Sequence, residues 1–255
     1  MKTHSTASQL YAELERHLGD DDLDGSLLVL DQICRLHDDH AGAWEMRGLL
    51  EAKAGRPNLS VRYFERASEL ASLEIWSSRT LAIQYVAIDR KELAAEVLHV
   101  LGLSGRLETA MLRVVSHDLL TLERPELAAD ITWNAIKSDR ENALLWHELS
   151  AIQSVLGESP ETCLQSVQRA IELAPVTTEF RVTAATLMIR MDQVQAAYDV
   201  VRQVVTPRHV ELDCPCCLWR LICIFESFDD HERMAVCYDR LTGIEAQKTF
   251  QTMAS

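Results

Sequence analysis

The sequence contains few of the residues that interrupt helices. Among 255 residues there are only 9 Gly and 6 Pro, whereas Ala, Leu, Glu and Arg are frequent. Because Gly and Pro break helices and form tight turns, their scarcity predicts a largely helical chain. The composition is otherwise globular, with 47% hydrophobic and 25% charged residues, and the length suffices for one large or two ordinary domains.

The chain is also short of positive charge. It has 25 Lys and Arg against 39 Asp and Glu, which gives a formal net charge of −14. A surface of this sign repels phosphate backbones and anionic membranes. We therefore expect neither nucleic acid nor a lipid surface as a partner.

Long apolar runs are absent as well. The most apolar run, CCLWRLICIF from Cys216 to Phe225, is short and is interrupted by Arg220. It falls far below the roughly 20 residues that a membrane-spanning helix needs. The N-terminal segment lacks the apolar core of a signal peptide, and the seven cysteines form an odd set, which favours reduced thiols. We expect a cytoplasmic protein without membrane insertion.

A period of 34 residues runs through the chain. Steps of this length from Trp44 lead back to Leu10 and forward to Ser78, Leu112 and Trp146. Four residues after each of these stands a column that is small in four of its five members: Leu14, Gly48, Ala82, Ser116 and Ser150. Small residues at a fixed period allow helices to pack closely, and such a period is typical of repeat architectures.

The two clearest segments begin at Ala43 and Leu145 and resemble the tetratricopeptide repeat (TPR), whose pattern is W-x2-L-G-x2-Y, A-x3-F, A and P. The resemblance implies an all-α fold, a right-handed α-solenoid of about seven antiparallel helix pairs. It covers a repeat domain at 7–245, between a tail at 1–6 and a tail or capping turn at 246–255. The repeat units are predicted at 7–40, 41–74, 75–108, 109–142, 143–177, 178–211 and 215–245.

An aspartate-rich stretch near the N-terminus resembles a calcium loop. Asp20, Asp22, Asp24, Gly25 and Asp31 have nearly the spacing of an EF-hand. The apolar positions that follow recur at helical spacing and begin inside the would-be loop: Leu23, Leu27, Leu30 and Ile33. Because aspartates also cap helix starts, we interpret the stretch as a turn between two helices, with calcium binding as the alternative.

The C-terminal cysteines raise the question of a metal site. Cys214 and Cys217 form a C-x-x-C with Cys216 between them. Zinc sites normally use four ligands in two spaced pairs, and a clear second pair is missing here. We therefore predict no cofactor and no metal, with a metal-binding or redox role for these cysteines as an alternative.

Motifs of catalysis are also missing. The sequence contains no phosphate-binding Gly loop, no G-x-S-x-G elbow and no H-E-x-x-H signature. The segment HDDH, residues 37–40, lies between the first two units and is interpreted as a solvated loop rather than a metal site. We expect a protein that is not an enzyme.

In TPR proteins the first helix of each unit lines a concave groove, so the resemblance also implies a binding surface. The positions that it assigns to partner binding are Trp76, Arg79, Ile83, Arg113, His117, His147 and Trp219. Arginine side chains suit carboxylates, and Trp is a common interface anchor. The groove is expected to hold an acidic or C-terminal peptide segment, unless these arginines pair with Asp or Glu of neighbouring helices.

The resulting functional expectation is a non-enzymatic adaptor or scaffold that binds a peptide or helix of a protein partner in its groove. Two alternatives remain open. One is a dedicated chaperone for a secreted client protein. The other is the metal-binding or redox protein mentioned above.

Overall fold

The chain consists of paired α-helices. The computed structural model describes the backbone of residues 2–253 and the side chains of residues 9–246. Over this range it contains fourteen helices and, apart from one isolated β-bridge between Thr206 and His209, no β-structure. The all-α prediction is confirmed. The helices are α1 Lys2–Gly19, α2 Leu23–Leu36, α3 Ala41–Lys53, α4 Pro57–Leu70, α5 Ile75–Ala87, α6 Lys91–Leu103, α7 Thr109–Thr121, α8 Pro125–Ser138, α9 Ala143–Val155, α10 Pro160–Leu173, α11 Thr178–Arg190, α12 Val194–Val201, α13 Pro215–Glu226 and α14 His231–Met253.

The two predicted tails are helical wherever the structure describes them. Helix α1 begins at Lys2 and α14 ends at Met253, so residues 2–6 and 246–253 continue the neighbouring helices. Met1, Ala254 and Ser255 lie outside the described residues. No helix in the described part of the chain combines the length and the apolar character needed to cross a bilayer.

The first helices of successive pairs are regularly spaced along the chain. They begin at Ala41, Ile75, Thr109 and Ala143, in steps of 34 residues, and then at Thr178, one residue later than a further step. The delay of one residue arises between the starts of α9 and α11. Successive helices pack against each other as pairs: α1 with α2, α3 with α4, α5 with α6, α9 with α10, α11 with α12 and α13 with α14.

Each pair turns at one residue with a left-handed backbone. These residues have φ between 52° and 76° and occupy the short link between the two helices of a pair: Asp21, Gly55, Asp89, Glu123, Gly157, Asp192 and Asp229. From Asp21 to Gly157 they recur every 34 residues. Gly adopts this conformation freely and Asp tolerates it better than most residues. Turn geometry therefore repeats with the same period as the helix packing.

The aspartate-rich stretch is such a turn, which confirms its interpretation. Asp22 caps α2, and its Oδ1 accepts a hydrogen bond of 3.0 Å from the Gly25 backbone N–H. Its other oxygen lies 2.7 Å from Nδ1 of His17. Helix α2 has already begun at Leu23, so the backbone is helical where an EF-hand loop would still be extended.

The loop at residues 37–40 links α2 and α3, as the period predicts. The His40 ring nitrogen accepts a hydrogen bond of 3.1 Å from the Ala43 backbone N–H and caps α3. This histidine therefore has a local structural role.

The chain forms two compact units, one up to Ile131 and one from Thr132 onward. In the first unit, Phe64 is fully buried at the contact between α3 and α4. A Cβ at Gly48 would lie 2.9 Å from the Phe64 ring, and the Ser60 hydroxyl donates a hydrogen bond of 2.8 Å to the Gly48 carbonyl. The small-residue column therefore marks the place where paired helices approach most closely.

The second unit repeats this arrangement. The Ser150 hydroxyl donates a hydrogen bond of 2.8 Å to the Cys163 carbonyl, between α9 and α10. Further along, Phe180 and Phe225 are buried to 1% exposure or less and belong to two apolar clusters. These clusters hold α9 to α14 in place.

Candidate partner-binding site

Three of the predicted partner-binding residues lie on one face of α5. Trp76, Arg79 and Ile83 are separated by three and four residues, which places them on the same side of a helix. The Trp76 side chain is 64% exposed and Ile83 is 46% exposed. The first unit therefore presents two large apolar side chains to solvent at this face.

Arg79 is engaged within the protein. Its Nε donates a hydrogen bond of 2.6 Å to Oδ2 of Asp118 on α7, and its Nη2 donates one of 3.2 Å to Oδ1. Both side chains are about three-quarters buried, and the hydrogen bond to Asp118 raises the pKa of the guanidinium. Arg79 therefore pairs with an internal carboxylate, which is the alternative given above. Its Nε and Nη2 both donate hydrogen bonds to Asp118 and are not available to a partner's carboxylate in this arrangement.

The other two predicted residues of the first unit lie on α7. Arg113 is half-buried and His117 is exposed, one helical turn further on. His117 directly precedes Asp118 in the chain, so it lies beside the ion pair that connects α5 and α7. These residues belong to the same region of the first unit as Arg79.

His147, in the second unit, is not on the surface. It is 8% exposed, its Nε2 lies 2.9 Å from the Thr183 hydroxyl, and its ring centre is 4.8 Å from that of Phe180. Helix α11 covers it with both of these side chains. The prediction that His147 faces a partner is therefore corrected: its role is to pack α9 against α11.

Trp219 lines an open cleft of about 480 Å³ in the second unit. The walls come from α11, α13 and the first residue of α12, and the lining is mainly apolar, with Ile189, Val194, Ile224 and the Trp219 ring. The Trp219 side chain is 48% exposed and meets the Tyr238 ring edge-on at 5.7 Å between centres. A cleft of this volume can accept a bulky side chain of a partner.

The charge of the cleft is opposite to that of the whole chain. Arg190 and Arg220 line it, and the described residues that form its walls include no Asp or Glu. Arg190 donates a hydrogen bond of 3.1 Å to the Ser154 hydroxyl, and Arg220 is exposed. Two cations beside an apolar cavity favour a ligand that carries both an apolar group and a negative charge.

Sequence reasoning found part of this cleft. It assigned Trp219 to partner binding, and Trp219 is in the lining. It missed the two arginines. Arg190 lies one helical turn beyond Thr186, which also lines the cleft. Arg220 follows Trp219 in sequence, and no 34-residue column of the sequence analysis includes it.

Three cysteines form a separate group that could hold a metal ion. The Sγ atoms of Cys214, Cys216 and Cys217 lie within 4.8 Å of one another at the start of α13. None of the seven cysteines is in a disulfide. This group is distinct from the lining of the cleft.

Comparison with known proteins gives similarities of structure only. No family model matches the chain, and no curated protein matches it. A solved structure of Naa15/Naa10 bound to HypK-THB contains a chain that superimposes with a TM-score of 0.57 at 12% identity, over 92% of this chain and 36% of that chain. This chain therefore spans little more than a third of that chain's length. A tetratricopeptide repeat protein from Parabacteroides merdae superimposes with a TM-score of 0.53 at 13% identity, over 94% of this chain and 93% of that chain.

The paired helices, their 34-residue register and the left-handed turns define an all-α helical-repeat protein. Within that class, the chain has the TPR-like fold that its sequence predicts.

Proposed function

We propose that this chain is a non-enzymatic protein-interaction module whose cleft between α11 and α13 binds a segment of a protein partner. The observation that carries the proposal is the cleft itself. It is an apolar cavity of about 480 Å³ with a half-exposed Trp219 in its wall and two arginines in its lining. Trp and Arg are enriched among the few residues that contribute most of the binding energy at protein interfaces.

The composition of the lining supports one chemical class of partner. The apolar wall formed by Ile189, Trp219 and Ile224 suits one bulky aliphatic or aromatic side chain. Arg190 and Arg220 suit a carboxylate close to that side chain. A peptide C-terminus that ends in a large apolar residue carries both groups on one residue, so we propose this as the ligand.

The exposed face of the first unit remains a second proposed contact. This face contributes four of the predicted residues: Trp76, Ile83, Arg113 and His117. Trp76 is more exposed than Ile83. Arg79 supports this face through its ion pair with Asp118. The contact is apolar in character, because the two largest exposed side chains are Trp76 and Ile83.

The test uses synthetic peptides of ten residues that end in Leu, Phe or Ala, each made with a free C-terminal carboxylate and with a C-terminal amide. Binding is measured by fluorescence anisotropy on the full chain. We expect the free-acid peptides ending in Leu or Phe to bind more tightly than their amides and than the Ala peptide. Arg220→Gln should weaken binding about 10- to 100-fold, because a hydrogen bond to a charged group contributes roughly 1.5–3 kcal/mol.

The matched control is Arg169→Gln, since Arg169 of α10 is a part-exposed arginine of the same unit that does not line the cleft and pairs with Glu141 and Glu172. It should leave binding unchanged, while Trp219→Ala should weaken binding of the Leu and Phe peptides. Equal affinities for acid and amide peptides, together with equal effects of the two arginine variants, would contradict the proposed ligand and its site.

A further inference from the structure

The start of α13 brings three thiols together. Cys214 is the residue before the helix, Pro215 occupies its first position, and Cys216 and Cys217 lie in its first turn. All three Sγ atoms lie within 4.8 Å of one another, and those of Cys214 and Cys216 are 2.9 Å apart. Because proline fixes its own backbone φ at a value that suits the first turn, the backbone holds the cluster in place.

The cluster is open on one side. Cys217 is buried, Cys214 is half-buried and Cys216 is exposed. An ion can therefore reach the sulfur atoms from solvent while two of them are held against the protein. Cys223, which is exposed on the same helix, lies outside the cluster.

The surroundings of the cluster are acidic. A cavity of about 650 Å³ beside Cys214 is lined by Glu179, Glu211 and Asp213. Asp213 is paired with Arg240, so the negative charge comes mainly from Glu179 and Glu211. Carboxylates near a group of thiols favour a cation over an anion at that place.

The thiols differ in acidity. Burial alone would raise the pKa of the Cys214 thiol, but hydrogen bonds with the Cys216 thiol and the Cys217 backbone N–H outweigh it and lower that pKa. Burial and the neighbouring Cys214 thiol raise the pKa of Cys217 well above its usual range.

We propose that Cys214, Cys216 and Cys217 together bind one thiophilic metal ion as three thiolates. Each S–H bond is exchanged for a sulfur–metal bond, and three protons are released to solvent. Soft thiolate donors select Cu(I) or Zn(II). Three sulfurs complete a three-coordinate Cu(I) site, whereas Zn(II) takes a fourth ligand, which is water at the open side. The earlier expectation of no metal rested on a missing second C-x-x-C pair, which a three-sulfur site does not need.

The test uses the purified, reduced, metal-free full chain. Zn(II) and Cu(I) are added in separate experiments, excess metal is removed by gel filtration in the presence of a weak chelator, and retained metal is counted by mass spectrometry. We expect one equivalent of one of the two ions in the native chain and in Cys223→Ser. Cys216→Ser should lose this stoichiometric binding.

The variants separate binding from folding. Cys216 is exposed, so its replacement by Ser should leave the thermal melting of the metal-free protein unchanged. A bound ion should also raise the melting temperature of the native chain and not that of Cys216→Ser, because a ligand of the folded state stabilises it by mass action. Retention of neither ion by the native chain, or equal retention by Cys216→Ser and Cys223→Ser, would overturn the proposal.

Discussion

At the residue scale, the left-handed turn positions show how a single backbone angle can recur through a repeat protein. Five of the seven are Asp or Glu and only Gly55 and Gly157 are glycine. A left-handed backbone costs an L-residue roughly 1–2 kcal/mol, so the non-glycine turns are strained relative to the glycine ones. Each turn is stabilised by the packing of the two helices that it joins.

Gly55→Ala tests the cost of this backbone angle. Gly55 has φ of 69°, and no atom lies within 4 Å of the place where its Cβ would be, so only the backbone resists the change. We expect a loss of about 1 kcal/mol in the free energy of unfolding, measured by urea denaturation. Gly243→Ala is the control, because it lies within α14 and has equally open surroundings. That variant should gain up to about 1 kcal/mol from helix propensity; a gain of similar size in Gly55→Ala would contradict the argument.

Gly48→Ala tests close packing instead. Its new Cβ would lie 2.9 Å from the Phe64 ring, and overpacking costs about 1–3 kcal/mol. Higher helix propensity offsets up to about 1 kcal/mol of this cost, so we expect a net loss of about 1 kcal/mol in thermal or urea unfolding. Phe64→Leu makes room for the added methyl, so the double variant should be more stable than the sum of the single effects predicts. Additive effects would show that the ring is not the obstacle.

At the element scale, the ion pair between Arg79 and Asp118 connects α5 to α7. The two side chains are joined by hydrogen bonds of 2.6 and 3.2 Å, and both are about three-quarters buried. A pair of this kind joins the first helices of neighbouring repeats directly. It should therefore contribute to the stability of the first unit.

A double-mutant cycle on Arg79→Ala and Asp118→Ala measures this contribution. We expect a coupling free energy of about 1–2 kcal/mol, because the pair is bidentate and only partly screened by solvent. Peptide binding by folded Arg79→Ala should equal that of the native chain. Additive unfolding effects, or a loss of binding without a loss of stability, would instead assign Arg79 to a partner.

The helix register was predictable because packing imposes it. Small residues such as Gly48 and Ala82 recur where helices touch, so the 34-residue period appears in the sequence itself. The burial of His147 was not predictable, because it depends on Phe180 and Thr183 reaching across from α11. Pairing of Arg79 with a carboxylate of a neighbouring helix was an open alternative, but the partner Asp118 lies 39 residues away, and no single-residue column identifies it.

The turn column was present in the sequence but was not recognised. Asp89, Glu123 and Gly157 have the same period as the packing column, yet they share neither size nor polarity. What they share is a backbone angle. Residue type indicates this angle clearly only when the residue is glycine.

At the scale of the whole molecule, the fold and the proposed function rest on different evidence. The repeat fold positions the first helices of the pairs, and many unrelated functions can be placed on one fold. The proposed function rests instead on the cleft with Trp219, Arg190 and Arg220. In a chain of net charge −14, two arginines beside an apolar cavity would give the carboxylate of the proposed ligand a defined place to bind.

Hydrogen exchange of the full chain, with and without a saturating free-acid peptide that ends in Leu, tests the central claim most directly. The account predicts slower exchange in α11, Thr178–Arg190, and in α13, Pro215–Glu226, because these helices form the cleft that the peptide fills. The amidated peptide at the same concentration should protect them less. Binding that leaves the exchange of α11 and α13 unchanged, or that protects other helices alone, would contradict the account.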